Sequence, residues 1–548
     1  MNQEKPWVNH YDLGVKAHLD YPHLCLHDVL SNQAHQLPDH IAIIENLRKI
    51  TYQDLNQRTI NFSMHLVHMG LKKGDRVGIC LPNSIEFAIA YFGILRAGGI
   101  VVALNPLFPI RELETQIKKT GIRFVIVLTK RLTEFENLMS VSSIEKIIVV
   151  DENSRTEEIH ARGEKENFLT SFDFLTTHSD QEVNLPALLP STPAVFQFSG
   201  GTTGTPKAAV CSHQNIVSNV TQFRHWLVNL EEGKETFLVA IPLYHVYGMV
   251  LGLNLGVAMG ARMVFLSDPR NISEMLKVIQ EYQVGYFPGV PSTFNMIIQH
   301  PEVKAGKYDL RMIKACISGS APLPESVRIQ FEELTGGCLV EGYGLSEAPT
   351  ATHCNPIMGE KRKGSIGLPL PDVDCMVASM DGTEVGVNIG EPGELLIRAP
   401  QVMMGYFNEE KETALVLKNG WLHTGDIVRM DEDGYFYIIG RKKELIKVHG
   451  LQVWPAEVEN VILKHPAVQE CVVAGVPDMD SGERVKAWII PNTPETEVSI
   501  EDLQKFCRNE LAGYKLPREV EICESIPRSP VGKILRRELV RMHIEKNQ

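Results

Sequence analysis

MVFL (263–266), ISEMLKVIQEY (272–282), VGYFPGV (284–290), PSTFNMIIQ (291–299), KACISG (314–319) and LPESVRIQFEEL (323–334) follow one another with little between them. The first, third and fifth are short apolar runs of strand type. The second, fourth and sixth carry helical periodicity, and the fourth has a proline in its first turn. Repeated strand–helix alternation predicts an α/β fold with largely parallel sheets. In such folds ligands bind at the C-terminal ends of the strands.

The pattern extends outward from this stretch. RFVIVL (123–128) and IIVV (147–150) read as strands, and the polar segment 152–167 reads as a surface loop. Residues 237–261 form a 25-residue run without a formal charge, with Gly248, Gly252, Gly256 and Gly260 four residues apart. That spacing lets membrane helices approach closely. However, Pro242, His245 and Asn254 interrupt the run and Arg262 follows at once, so a glycine-faced helix laid on a sheet is expected. From about Gly364 to Gly440 the helical pattern weakens. GELLIRAP and DIVRMDEDGYFYIIG read as strands, with Asp433-Gly434 as a hairpin turn. After Arg441, AEVENVILKHP reads as a helix, QECVVAGVPD and RVKAWIIPN as strands, and SIEDLQKFCRNEL as a helix capped by Ser499. The expected organisation is a large N-terminal domain over 1–440, built of parallel α/β subdomains plus a β-rich lobe at about 364–440. A small α+β domain over 441–548 completes it.

The 548 residues carry a formal net charge of −13. From Arg441 onward 17 basic and 17 acidic residues balance, so the whole excess of acid lies before it. Overall acidity argues against a nucleic-acid binder. No two of the ten cysteines form a CxxC pair, which favours buried reduced thiols of a cytosolic protein over zinc or disulfides. The start, MNQEKPWVNHYDLG, has no apolar core of a signal peptide.

Five motifs carry chemistry. Ser199-Gly200-Gly201-Thr202-Thr203-Gly204-Thr205-Pro206-Lys207 follows the apolar run AVFQF. Its glycines let backbone N–H groups face an anion, and its hydroxyls and lysine add donors, as a polyphosphate requires. It lacks the GxxxxGK[ST] order of a P-loop, which disfavours a kinase or ATPase of that type. Glu341-Gly342-Tyr343-Gly344-Leu345-Ser346-Glu347, expected after a strand, sets an aromatic between glycines, where a flat base can stack. Its serine and glutamate offer hard oxygens to Mg²⁺. His423-Thr424-Gly425-Asp426 is expected to place a carboxylate on a turn, able to accept from a ribose diol. GRKKELIK (440–447) and Ser529-Pro530-Val531-Gly532-Lys533 add clustered charge and a lysine on a loop.

In order and spacing these elements resemble the adenylate-forming superfamily of acyl-CoA synthetases, luciferases and adenylation domains, across nearly the whole chain. Within it the sequence is most similar to bacterial long-chain fatty acid–CoA ligases. KPWVNHY…YPHLCLHDVL, the GGTTG form of the loop, NGWLHTGDI and GYKLP…IPRSPVGKILRREL carry that likeness. GRKKELIKVHGLQVWPAEVE also resembles the aryl, coumarate-type ligases. The resemblance implies two steps: a carboxylate attacks the α-phosphorus of MgATP, and coenzyme A then attacks the acyl-AMP. It assigns Ser199, Gly200, Gly201, Thr202, Thr203, Gly204 and Lys207 to the phosphates, and Thr202 and Glu347 to Mg²⁺. Glu341, Gly342, Tyr343, Gly344 and Ser346, with Gly319, Ser320 and Ala321, fall to the adenosine. Asp426 and Arg441 hold the ribose, and Lys533 stabilises charge in the transition state. Lys447 and Gln452 assist, and His245 borders the acyl pocket, whose further lining includes Tyr247 and Ser320. The C-terminal domain is implied to be mobile, with a hinge near Lys443.

Two positions depart from the family pattern. Gly200 stands where serine is common, and Ala208 where glycine is usual, so a positive φ at Ala208 would strain the loop. The alternatives on this scaffold are an aryl- or hydroxycinnamate–CoA ligase and an acyl-AMP ligase loading a separate carrier protein. A non-catalytic nucleotide-binding scaffold is the alternative of another class; Lys533, Glu347, Asp426 and Arg441 are all present and argue against it. The implied partners are a small carboxylic acid and coenzyme A, with no nucleic acid. A cytoplasmic location is expected, and the substrate class leaves room for peripheral contact at the inner face of the membrane and for a homodimer.

Overall fold

The computed structural model describes residues 5–151, 162, 166–178, 183–199, 206–478, 480–493, 498–528 and 534–547. The chain divides into two compact units: Met1–Asp374 with Arg398–Leu422, and Cys375–Ile397 with His423–Gln548.

Two large sheets organise the first unit, and both follow from the strand–helix alternation. One runs, in spatial order, Leu368–Pro369, Ala348–Cys354, Cys338–Leu345, Ala315–Ser318, Tyr286–Gly289, Thr236–Val239, Arg262–Phe265, Ile41–Glu45 and Arg48–Thr51. Its six central strands pair in parallel, and antiparallel hairpins close both edges. The other runs Gly405–Tyr406, Lys207–Ser212, Pro193–Ser199, Ile100–Ala103, Arg76–Cys80, Ile122–Leu128, Lys146–Val150 and Leu169–Ser171. Helix Ile85–Arg96 buries ten of its twelve residues, all but Glu86 and Arg96, and touches strands of both sheets. An all-round apolar helix of this kind belongs between layers. Outer helices Ile272–Tyr282, Pro291–Gln299 and Glu325–Thr335 pack a core of Leu276, Phe287, Phe294 and Phe331 against the first sheet. The α/β expectation is borne out.

The uncharged run 237–261 folds as expected of a glycine-faced helix. Strand Thr236–Val239 ends before Pro242, and a helix follows from Val246 to Ala258 with a π-type stretch at Met249–Asn254. A Cβ on Gly252 would stand 3.0 Å from Val239, and one on Gly256 would stand 2.6 Å from Met263, so the glycine face lies directly on two strands. Among the described residues no helix is long and apolar enough to cross a membrane. All ten cysteines are free thiols, and eight are buried.

The second unit contains most of the β-rich lobe. Its hairpin Trp421–Met430/Phe436–Arg441 turns at Gly434, whose φ is +85°. A further sheet takes Leu451–Val453, Ile446–Val448, Gly482–Pro491 and Val468–Asp478 in that order, with Glu519–Ile522 parallel to Gly482–Pro491. Helices Pro455–Ile462 and Ile500–Cys507 cover it through Val458, Ile462, Leu503 and Cys507. Ser499 caps the second helix as expected, its hydroxyl accepting from the Asp502 N–H at 3.1 Å.

Candidate active site

The glycine-rich motif is flanked by two antiparallel strands. Ser199 ends one strand, Lys207 begins the next, and the two are direct antiparallel partners. Gly200, Gly201, Thr202, Thr203 and Gly204 lie outside the described residues. A P-loop opens into a helix whose N-terminus draws phosphate; here the chain returns as a strand. Of this motif, only Ser199, Pro206 and Lys207 are described. The doubt over Ala208 disappears. It is an extended strand residue opposite Phe198 without positive φ, and its methyl sits in the core with Phe196. The Lys207 ammonium pairs with Glu412 and lies 5.3 Å from the centre of the Tyr406 ring.

The second motif is not preceded by its strand but contained in it: Cys338–Leu345 runs through to Leu345. Ser346 and Glu347 form the two-residue turn that leads into Ala348–Cys354. Tyr343 is buried, edge-on to His353 at 5.7 Å. Gly344 needs no ligand to explain it. A Cβ there would stand 1.7 Å from the Thr350 carbonyl oxygen, so the return strand itself excludes a side chain. At Gly342 a Cβ would meet Ile317 at 3.1 Å.

Gly319, Ser320 and Ala321 leave the C-terminal end of strand Ala315–Ser318, where an α/β sheet binds ligands. Ser320 is held at φ +69°, and the Gly319 N–H donates to the Gly289 carbonyl at 3.1 Å. The Tyr247 hydroxyl lies 2.8 Å from the Ile317 carbonyl and 3.1 Å from that of Gly289, and a Cβ on Gly319 would touch its ring at 3.2 Å. His245 is half-buried rather than packed in the core. Its Nδ1 accepts from the Tyr247 N–H at 3.3 Å, at the start of the helix. Tyr247, expected at the acyl pocket, thus links Gly319, expected at the adenosine, with His245.

In the second unit, Asp426 and Arg441 are brought together. They are antiparallel partners, with the guanidinium Nε 2.9 Å from the Asp426 carboxylate, which is only 5% exposed. The turn expected at His423–Asp426 is instead part of strand Trp421–Met430, distorted by Gly425 at φ +72°. Lys447 and Gln452 are also direct partners, across a hairpin that turns at His449 and Gly450 with φ +50° and +80°. Both side chains are exposed. Lys533 lies outside the described residues.

The AMP-binding enzyme family matches residues 30–407. The chain belongs to that family. The AMP-binding enzyme C-terminal domain matches residues 457–533. This AMP-binding enzyme is 38% identical to the long-chain-fatty-acid–CoA ligase of Bacillus subtilis (strain 168), over the full length of both. It is 35% identical to the long-chain-fatty-acid–CoA ligase of Yersinia pestis, over 98% of each chain. The crystal structure of an anthranilate CoA ligase in complex with anthranoyl-AMP has the same fold, with TM-score 0.83 at 26% identity, covering 96% of this chain and 98% of that one. The expected family is borne out.

Three residues of this AMP-binding enzyme escaped the sequence reading. Tyr406 donates its hydroxyl to Glu347 Oε1 at 2.7 Å, Glu412 pairs with Lys207, and Glu394 pairs with Lys442 at 2.8 Å. Each joins segments distant in sequence. Cys25, His27 and His213 also gather, with ligand atoms within 4.8 Å of one another. Yet the Leu26 N–H donates to His213 Nδ1 at 3.2 Å, which leaves the imidazole proton on Nε2 and no free lone pair there for a metal. His213 serves instead at the start of helix Leu26–Gln36, where Cys25 is the N-cap and Asp28 accepts from the Cys25 N–H.

Glu341 acts on the chain itself. Its Oε2 accepts from the Leu323 N–H at 3.0 Å, fixing the far end of the segment that holds Gly319–Ala321. Burial pushes its pKa from 4.5 up to about 8. The folded state therefore keeps a proton that the unfolded chain releases near pH 4.5. The resulting stabilisation is full below that pH and is lost as pH rises through about 8, with a slope of at most about 1.4 kcal/mol per pH unit. Glu341→Gln keeps the acceptor and removes the titration. Thermal melts from pH 5 to 9 are expected to show the variant gaining on the wild type as pH rises. Parallel curves would place the proton elsewhere.

Proposed function

We infer that the chain is an ATP-dependent, AMP-forming fatty acid–CoA ligase acting on medium or long alkyl chains. The observation that carries this reading is the full-length match to two long-chain-fatty-acid–CoA ligases. The joined pairs Asp426–Arg441 and Lys447–Gln452 and the antiparallel pair Ser199–Lys207 support it.

The chemistry runs in two steps. A carboxylate oxygen attacks the α-phosphorus and pyrophosphate leaves; the thiol of coenzyme A then attacks the acyl carbon and AMP leaves. The loop Ser199–Lys207 holds the β- and γ-phosphates. Asp426 accepts from the ribose hydroxyls, and Arg441 fixes the carboxylate that does so. Tyr343 stacks on the base beside Gly319–Ala321. Lys533 stabilises the negative charge that builds in the first step. Lys447 and Gln452 assist it, and His245 borders the acyl carbon. The proposal includes a hinge at Lys443.

Glu347 suits a magnesium ion. Its carboxylate is half-buried and bonded to a neutral phenol, and no Lys, Arg or His among the described residues pairs with it. A carboxylate left uncompensated in this way is a hard-oxygen ligand. Glu347 and Thr202 would hold the ion, which supplies charge neutralisation at the phosphates.

The cytoplasm supplies ATP and coenzyme A, and a long alkyl acid resides in membranes, so peripheral contact with the inner face fits the substrate class. The test is AMP release over a panel from acetate to oleate, with benzoate and coumarate, with and without coenzyme A. Turnover requiring coenzyme A and favouring a medium or long alkyl acid is expected. Preference for coumarate would transfer the assignment to the aryl branch.

A further inference from the structure

Tyr406 sits where three elements of the proposed site meet. Its hydroxyl donates to Glu347 Oε1 at 2.7 Å and is also hydrogen-bonded to the side chain of Ser199. Its ring carries the Lys207 ammonium at 5.3 Å from the centroid. Ser199 and Lys207 are the two ends of the phosphate hairpin, and Glu347 is the carboxylate read as a cation ligand. A phenol has one proton to give and lone pairs to receive with. It gives the proton to Glu347 and accepts from Ser199.

The residue is itself firmly held. It pairs with Ala209 in the sheet, and its N–H donates to Thr413 Oγ1 at 2.9 Å. Gly405 before it adopts φ +144° and packs against the Thr413 side chain, which a Cβ would meet at 2.9 Å. A phenol hydroxyl is a neutral donor at neutral pH. A lysine or arginine in its place would orient Glu347 equally well but cancel its charge. A neutral donor fixes the carboxylate and leaves its charge for a cation.

We propose that Tyr406 is a positioning residue that presets Glu347 to receive the divalent cation and ties that carboxylate to both ends of the phosphate hairpin. The proposal rests on the reading of Glu347 as a cation ligand. It assigns Tyr406 no contact with the reacting atoms.

The test is Tyr406→Phe, which keeps the ring beneath Lys207 and removes only the hydroxyl. Acid-dependent pyrophosphate release is followed at fixed ATP while free Mg²⁺ is titrated. The Mg²⁺ concentration for half-maximal rate is expected to rise about tenfold, from the loss of a hydrogen bond to a charged group. The rate at saturating Mg²⁺ is expected to recover most of the wild-type value, with little change in melting temperature. An unchanged Mg²⁺ half-saturation, with or without a lower melting temperature, overturns the proposal. Glu347→Gln, titrated alongside, separates the two claims. If it keeps the wild-type Mg²⁺ dependence, the reading of Glu347 fails and the proposal fails with it. If it loses that dependence while Tyr406→Phe does not shift, only the role of Tyr406 falls.

Discussion

Lys533→Ala is expected to slow formation of the acyl adenylate by about two to three orders of magnitude, the usual loss when one preorganised donor to a developing charge is removed. The carboxylate and the α-phosphate are both anionic, and in the proposed mechanism the lysine offsets the charge that their approach concentrates. The second half-reaction does not pass through that state. Thioester formation from supplied acyl-AMP and coenzyme A is therefore expected to stay close to the wild-type rate, and AMP affinity to be unchanged. Single-turnover pyrophosphate release and thioester formation, measured separately, check this. Equal loss in both steps would point to a general defect of the C-terminal unit, and loss in neither would return the lysine to the solvent.

Asp426→Ala is expected to lower kcat/KM for ATP by about a hundredfold. In the proposed role, two hydrogen bonds from the ribose to a carboxylate would be lost, each worth a factor of about ten or more. The Arg441 guanidinium, 2.9 Å from Asp426, also loses its partner. The signature is in the sugar. Wild-type enzyme should strongly prefer ATP to its 2′,3′-dideoxy analogue, and the variant should barely distinguish them. If the variant were impaired equally with both nucleotides at unchanged discrimination, Asp426 would be a structural partner of Arg441 and no ribose ligand.

The sequence pattern carried much of this architecture because period and punctuation agreed. Helix Ile272–Tyr282 and helix Pro291–Gln299 begin and end where their apolar spacing and proline place them. The glycines at 248, 252 and 256 could be read as a packing face because a four-residue spacing repeats on one side of a helix. The site was legible where a motif is contiguous. It misled where a local signal had two causes. Gly344 looked like clearance for a base, yet the return strand alone forbids a side chain there. Asp426 looked like a turn residue because Thr424-Gly425 precedes it, yet Gly425 only distorts a strand that continues. Tyr406, Glu412 and Glu394 stayed hidden because their partners lie 59, 205 and 48 residues away. Spacing along a chain holds no record of such contacts.

The central claim is that an acyl group passes through AMP on its way to coenzyme A. The most direct test starts from a fatty acid labelled with ¹⁸O in both carboxylate oxygens, turned over with ATP and coenzyme A, with the AMP examined by mass spectrometry. The account predicts one ¹⁸O atom in each AMP released, because the carboxylate oxygen that attacks the α-phosphorus stays with it when the thiol displaces AMP. Unlabelled AMP, or label appearing in inorganic phosphate, would contradict it.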